Sequence, residues 1–137
     1  MAEDIEEIRR QKLAELRNRA ETGGAEEAAP ESPSEPIHVN GDAELSETVA
    51  EYDLVLADFY ADWCGPCQML EPIVETIAAD TGATVAKIDI DANQQLAAEY
   101  GVRGVPTLVL FADGQPAERL VGMQDEAQLR SVIETHA

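Results

Sequence analysis

The sequence predicts an α/β fold, a central mixed β-sheet with helices on both faces, and three observations carry the prediction. From Ile37 onward, strand-like and helix-like apolar patterns alternate to the end of the chain. Residues 54–60 form a near-continuous apolar run of the kind buried on both faces of a sheet. An Asp113-Gly114 pair separates two strand-like runs, which is the signature of a two-residue hairpin.

The elements follow in order. Residues 37–39 are a short strand, and Asp42 is placed to cap a helix over 43–51. The apolar run at 54–60 is the next strand. A helix over 64–80 turns Leu70, Ile73, Val74 and Ile77 inward, with Pro72 inside it as the site of an expected kink. Residues 84–90 read as a strand and 94–99 as a short helix. The hairpin pairs 105–111 with 117–121, and a closing helix over 125–134 turns Leu129, Val132 and Ile133 inward. The predicted order is β-α-β-α-β-α-β-β-α.

Residues 1–35 form a separate amino-terminal extension, and 36–137 the folded domain. Within the extension, about 3–20 read as an amphipathic helix with Ile5, Ile8, Leu13, Leu16 and Ala20 on one face. Residues 21–35 are Gly, Ala, Glu, Ser and Pro with almost nothing to bury, which marks a disordered linker. Such a helix is marginal alone. It is either a solubilising arm or an element that docks on a partner or pairs between chains; binding at a membrane surface is disfavoured by its acids.

Composition narrows the function. The chain has 137 residues and a formal charge of −19, which leaves room for one ordinary domain plus an appendage. Charge of that density opposes compaction unless salt screens it, which points to a halophile's cytoplasm. The plainer alternative is an acidic protein of an ordinary cell. The acidic amino terminus lacks the basic and apolar segments of a secretory signal, and no apolar run is long enough to span a bilayer. A cytoplasmic location with no membrane association is therefore expected. Nucleic acid is a poor partner, because no basic patch exists outside the first helix.

The two cysteines stand three positions apart in Cys64-Gly65-Pro66-Cys67. A tetrahedral metal site needs about four ligands, and only His38 and His136 are available beside them, so no metal is expected. At the start of a helix, unpaired N–H groups and the partial positive charge of the helix end favour a thiolate. Cys64, nearer the exposed end, is then the nucleophile that forms a mixed disulfide. Cys67, one turn in and less accessible, is the resolving thiol.

The stretch Ala57-Asp58-Phe59-Tyr60-Ala61-Asp62-Trp63-Cys64-Gly65-Pro66-Cys67 resembles the thioredoxin family, whose active-site signature is Trp-Cys-Gly-Pro-Cys. The resemblance continues through 85–91, through Tyr100-Gly101-Val102-Arg103-Gly104-Val105-Pro106-Thr107, and through Val121-Gly122. It implies the thioredoxin fold and a dithiol–disulfide oxidoreductase that reduces protein disulfides with no bound cofactor beyond the reversible Cys64–Cys67 disulfide. The implied partners are disulfide-containing clients and a reductase, either an NADPH-linked flavoprotein or a ferredoxin-linked one.

By the same resemblance, Asp58 is the buried aspartate behind the second cysteine. A carboxylate inside an apolar strand has no packing role and is costly to desolvate, so its pKa is expected to rise into the range for taking the Cys67 proton. Lys87 matches the family's neighbouring lysine. The plain alternative makes Asp58 and Lys87 only a buried ion pair. Pro106 matches the family's cis-proline, although Pro at a strand start otherwise reads as an edge residue. A cis Val105–Pro106 bond would leave the Val105 backbone free to pair with an extended substrate segment. Trp63, Gly65, Pro66, Gly104 and Gly122 complete a flat apolar rim, with Trp63 expected at the surface rather than in the core.

Tyr60 stands where many family members have tryptophan, and Gln68 where many have lysine. With Asp62 nearby, both bear on how readily Cys64 ionises. A disulfide isomerase or oxidase, or a non-catalytic binding subunit with this fold, are the competing functions. Gly65-Pro66 argues against the first, and retention of Asp58, Lys87, Pro106 and both cysteines against the second.

Overall fold

The computed structural model describes residues 32–137. The helix expected over 3–20, and the linker up to residue 31, lie outside the described residues. Residues 32–36 carry neither helix nor strand.

Among the described residues, five strands form one sheet: β1 (Ile37–His38), β2 (Leu54–Tyr60), β3 (Thr84–Asp89), β4 (Thr107–Ala112) and β5 (Gln115–Val121). Their order is β1-β3-β2-β4-β5. The pairs β1·β3 and β2·β3 are parallel, and β2·β4 and β4·β5 antiparallel. The helices are α1 (Gly41–Glu51), α2 (Gly65–Asp80), α3 (Gln94–Glu99) and α4 (Glu126–His136). The element order is the one the hydrophobic pattern predicts.

Period-two alternation on the central strands builds two cores. On one face, Leu54, Leu56, Val85, Leu108 and Leu110 meet Leu70, Val74 and Ile77 of α2 and Leu129 and Ile133 of α4. Ile73 and Val132 reach that core only partly buried. On the other face, Val55, Ala57, Phe59, Ile88 and Phe111 meet Leu45 of α1 and Leu96 of α3. The strand β2 is therefore covered on both sides, which is why its sequence does not alternate with polar residues.

Several boundaries move by one or two residues from their predicted places, and three of the shifts have a physical reason. Asp42 does not cap α1; it lies in the first turn, and Asn40 holds the N-cap position. Gly41, at φ +86°, turns the chain into the helix earlier, and its N–H donates to Asn93 Oδ1 at 2.8 Å. A partner 52 residues away thus replaces the local cap. The fourth strand begins at Thr107 rather than Val105 because Pro106 has no N–H to give the ladder. The last helix runs to His136, with Asp125 as its N-cap accepting from Gln128 N at 2.8 Å.

The hairpin turns as expected, with Asp113 at φ 52° and Gly114 at φ 83°, the paired positive values of a type I′ turn. Helix α2 continues across Pro72. Among the described residues, no helix is long and apolar enough to cross a membrane.

Candidate active site

The site lies where β2, the central strand, delivers the chain into α2. Tyr60 ends the strand, Ala61-Asp62-Trp63 make the connection, and Cys64 is the N-cap of α2. Cys64 N–H donates to Ala61 O at 3.1 Å, which closes the turn. Pro66 sits in the first helical turn, where its missing N–H costs nothing. Cys64 Sγ accepts the Cys67 N–H at 3.1 Å, so the sulfur occupies the place of a capping oxygen. The donated Cys67 N–H and the helix dipole both favour negative charge on the Cys64 sulfur.

Cys64 and Cys67 are joined by a disulfide, their Cα atoms 5.3 Å apart. The expected difference in accessibility is not found. Cys64 is 4% exposed and Cys67 6%, because Ala61, Tyr60, Ile90 and Val105 pack around both. The helix-end position of Cys64, and not its exposure, is what separates the two.

Val105 O lies 3.7 Å from Cys64 Sγ. The Val105–Pro106 bond is cis, as the resemblance implied. Pro106 O accepts the N–H of Gly122, itself at φ +88°, at 2.8 Å, which brings the Val121-Gly122 segment to the same rim. Thr107 Oγ1 donates to Gly104 O at 2.7 Å and fixes the approach to Val105. Trp63 is 68% exposed, so it is a surface residue, and its indole N–H donates to Asp91 Oδ2 at 2.9 Å. Val121, Met69 and Met123 are also exposed.

Asp58 is 1% exposed in the middle of β2. Leu56, Asp58 and Tyr60 point to one face by alternation. Leu56 packs under Leu70 and Val74, and Tyr60 packs against the cysteine pair. Asp58 therefore stands beneath the turn of α2 that runs from Cys67 to Glu71. Its Oδ1 is buried without a hydrogen-bond partner. Burial pushes its carboxyl up to about 6 from 3.8; Lys87 opposes that rise and the Glu71 carboxylate adds to it.

Lys87 is opposite Asp58 in the β2·β3 register, as the resemblance implied, and is 6% exposed. Its ion pair, however, is with Glu71: Lys87 Nζ donates to Glu71 Oε2 at 2.6 Å and lies 4.4 Å from the centre of the Tyr60 ring. The simple Asp58–Lys87 pair is thus replaced by a three-membered arrangement. Burial, with the Asp89 carboxylate next, pushes the Tyr60 phenol up.

Glu71 and Asp91 were not anticipated as site residues. Glu71 follows Cys67 by four residues, the spacing that shares a helix face, and this is the signal that finds it. The partnership of Asp91 with Trp63 spans 28 residues and has no local signature. Gln68, in place of the family's lysine, donates to Asp62 O at 3.0 Å and ties down the connection instead of supplying charge. Among the described residues, no group of three or more His, Cys, Asp or Glu side chains is placed to hold a metal ion.

The thioredoxin family model matches residues 36–135. A thioredoxin of Chlamydia trachomatis is 42% identical over 101 residues, covering 73% of this chain and 98% of that one. A Staphylococcus aureus thioredoxin is 43% identical over 97 residues, covering 69% and 92%. The solved structure of a mutant thioredoxin from Halobacterium salinarum NRC-1 is 63% identical with a TM-score of 0.76, covering 78% of this chain and 95% of that one. Similarity to a protein of a halophile agrees with the acidic composition. Proteins of this family act on disulfide-bearing clients, are returned to the dithiol by a reductase, and carry no cofactor. The chain belongs to the thioredoxin family and is a thiol–disulfide oxidoreductase, reducing protein disulfides through Cys64 and Cys67.

Proposed function

We propose that Cys64 attacks the client disulfide, Cys67 resolves the resulting mixed disulfide, and Asp58 takes the proton that Cys67 must lose. The single observation that carries this reading is the placement of Cys64 at the N-cap of α2, its sulfur held by the Cys67 N–H. In the first step the Cys64 thiolate bonds one client sulfur, and the other leaves as thiolate. In the second, the Cys67 proton passes to Asp58, and the Cys67 sulfur bonds Cys64 Sγ. The bond from Cys64 to the client breaks, and the client sulfur leaves with the electron pair. A carboxyl near 6 holds and releases a proton close to neutrality, which suits that transfer. Lys87 offsets the negative charge Asp58 carries before it takes that proton.

Val105 offers its backbone to an extended client segment beside the sulfur, with Pro106 setting the approach. Trp63, Gly65, Pro66, Gly104 and Gly122 form the surface on which the client lies. Exposed Trp63 and the positive φ of Gly122 support that assignment. Cys67→Ser tests the sequence of steps: incubated with a disulfide client, the full chain accumulates a covalent adduct through Cys64 that dithiothreitol releases. An adduct formed through position 67 in Cys64→Ser, and not in Cys67→Ser, would reverse the two roles.

A reducing, salt-rich cytoplasm is the setting that suits a reductase of charge −19. The electron donor is a thioredoxin reductase, NADPH-flavin or ferredoxin-linked. Residues 1–35 form an arm separate from the 36–137 domain, whose Ile5/Ile8/Leu13/Leu16 stripe docks on a partner or a second chain. Deleting residues 1–35 then lowers the number of chains per particle in solution or slows turnover with the reductase. If both stay unchanged, the arm has no docking role.

A further inference from the structure

A groove of about 560 Å³ opens beside the second cysteine, and its lining includes Cys67, Glu71, Lys87, Tyr60, Gln68 and His38. The mechanism above uses Cys67 and Lys87 but leaves Glu71 without a task. We propose that Glu71 is a positioning residue for the resolving step: it holds the Lys87 ammonium over Tyr60 and keeps that cation from closing on Asp58. The Asp58 carboxylate thereby stays basic enough to accept the Cys67 proton. This inference rests on the reading of Asp58 as the proton acceptor.

A buried ammonium needs a charged or hydrogen-bonding partner, and two carboxylates neighbour Lys87, one in contact and one across the strand register. Asp58 is its register neighbour on the adjacent strand, on the same face of the sheet. Glu71 comes from the helix above. The half-exposed Glu71 is less costly to ionise than the buried Asp58. Lys87 accordingly pairs with Glu71 at 2.6 Å, while Asp58 Oδ1 is left with no partner. A cation paired directly with Asp58 would hold its proton affinity down, and the resolving thiol would lose its acceptor.

Other charges face the same space. Tyr60 and Asp62 come from the end of β2 and its connection, Asp89 from β3, and His38 from β1. On the β4 side the neighbour of Asp58 is the apolar Leu108. Among these groups, Glu71 is the one that holds Lys87 directly.

The test uses the full chain and a Glu71→Gln variant, which keeps the side-chain shape and removes its charge. Two quantities are read against pH: the ¹³C titration of the Asp58 carboxyl in the dithiol form, and the rate at which the mixed disulfide releases its client. With Glu71 neutral, the field of its carboxylate on Asp58 is lost and Lys87 turns to Asp58, so both midpoints fall by about one pH unit. An Asp58 titration that does not move overturns the proposal. If Asp58→Asn meanwhile flattens the release profile, the proton-acceptor reading survives that failure. A titration that moves while client release keeps its profile overturns the proposal and the reading of Asp58 together.

Discussion

Replacing Cys64 with serine drops disulfide reduction by at least about 1000-fold, equivalent to ~4 kcal/mol of barrier. The reason is chemical before it is structural. A hydroxyl at the N-cap of α2 accepts the Cys67 N–H as well as sulfur does, so the helix start is preserved. It does not ionise near neutrality, and it forms no mixed disulfide. The remaining thiol, Cys67, is buried and sits inside the first turn, away from the N-cap. Steady-state reduction of a protein disulfide by the full chain and its reductase checks this. Activity within tenfold of the parent would remove Cys64 from the centre of the mechanism.

Asp58→Asn makes the protein more stable at neutral pH, and the gain disappears in acid. The folded carboxyl is raised to about 6, mainly by burial, against 3.8 in the unfolded chain. Between those values the folded state binds more protons than the unfolded one, so stability falls as pH rises from 3.8 to about 6 and is flat above. Two units at 1.36 kcal/mol each make the ionised carboxylate cost about 3 kcal/mol at pH 7.5. Asparagine has the shape of the protonated acid and never carries the charge. The variant therefore melts roughly 10 °C higher at pH 7.5 and at nearly the parent temperature at pH 4. The same substitution slows client release. A destabilised variant, or a difference that does not change with pH, would contradict the account. Stability given up at Asp58 is the cost of keeping a proton acceptor in the core.

Much of this was legible in the sequence, for identifiable reasons. The order of elements is written in local apolar periodicity, and the Asp113-Gly114 turn in the backbone freedom those residue types bring. The active-site connection could be read because it is contiguous, from Asp58 through Cys67. What could not be read depends on partners far apart in the chain. The α1 terminus is satisfied by Asn93, so Asp42 was a plausible local cap with no work to do. Equal burial of the two cysteines comes from Val105 and Ile90 folding over both. The pairing of Lys87 with Glu71 joins β3 to α2 and depends on which of two carboxylates is cheaper to ionise. That comparison needs the burial of each, which sequence does not contain.

The central claim is that the Cys64–Cys67 couple works as a reductant of protein disulfides. Its most direct test is equilibration of the full chain with mixtures of reduced and oxidised glutathione in molar KCl, followed by acid quenching and quantification of the dithiol. The account predicts that the dithiol reduces oxidised glutathione, with an equilibrium constant at least about 10-fold in that direction, or ~30 mV for two electrons. A Cys64–Cys67 disulfide that glutathione itself reduces would make the chain an oxidant or isomerase and contradict the account.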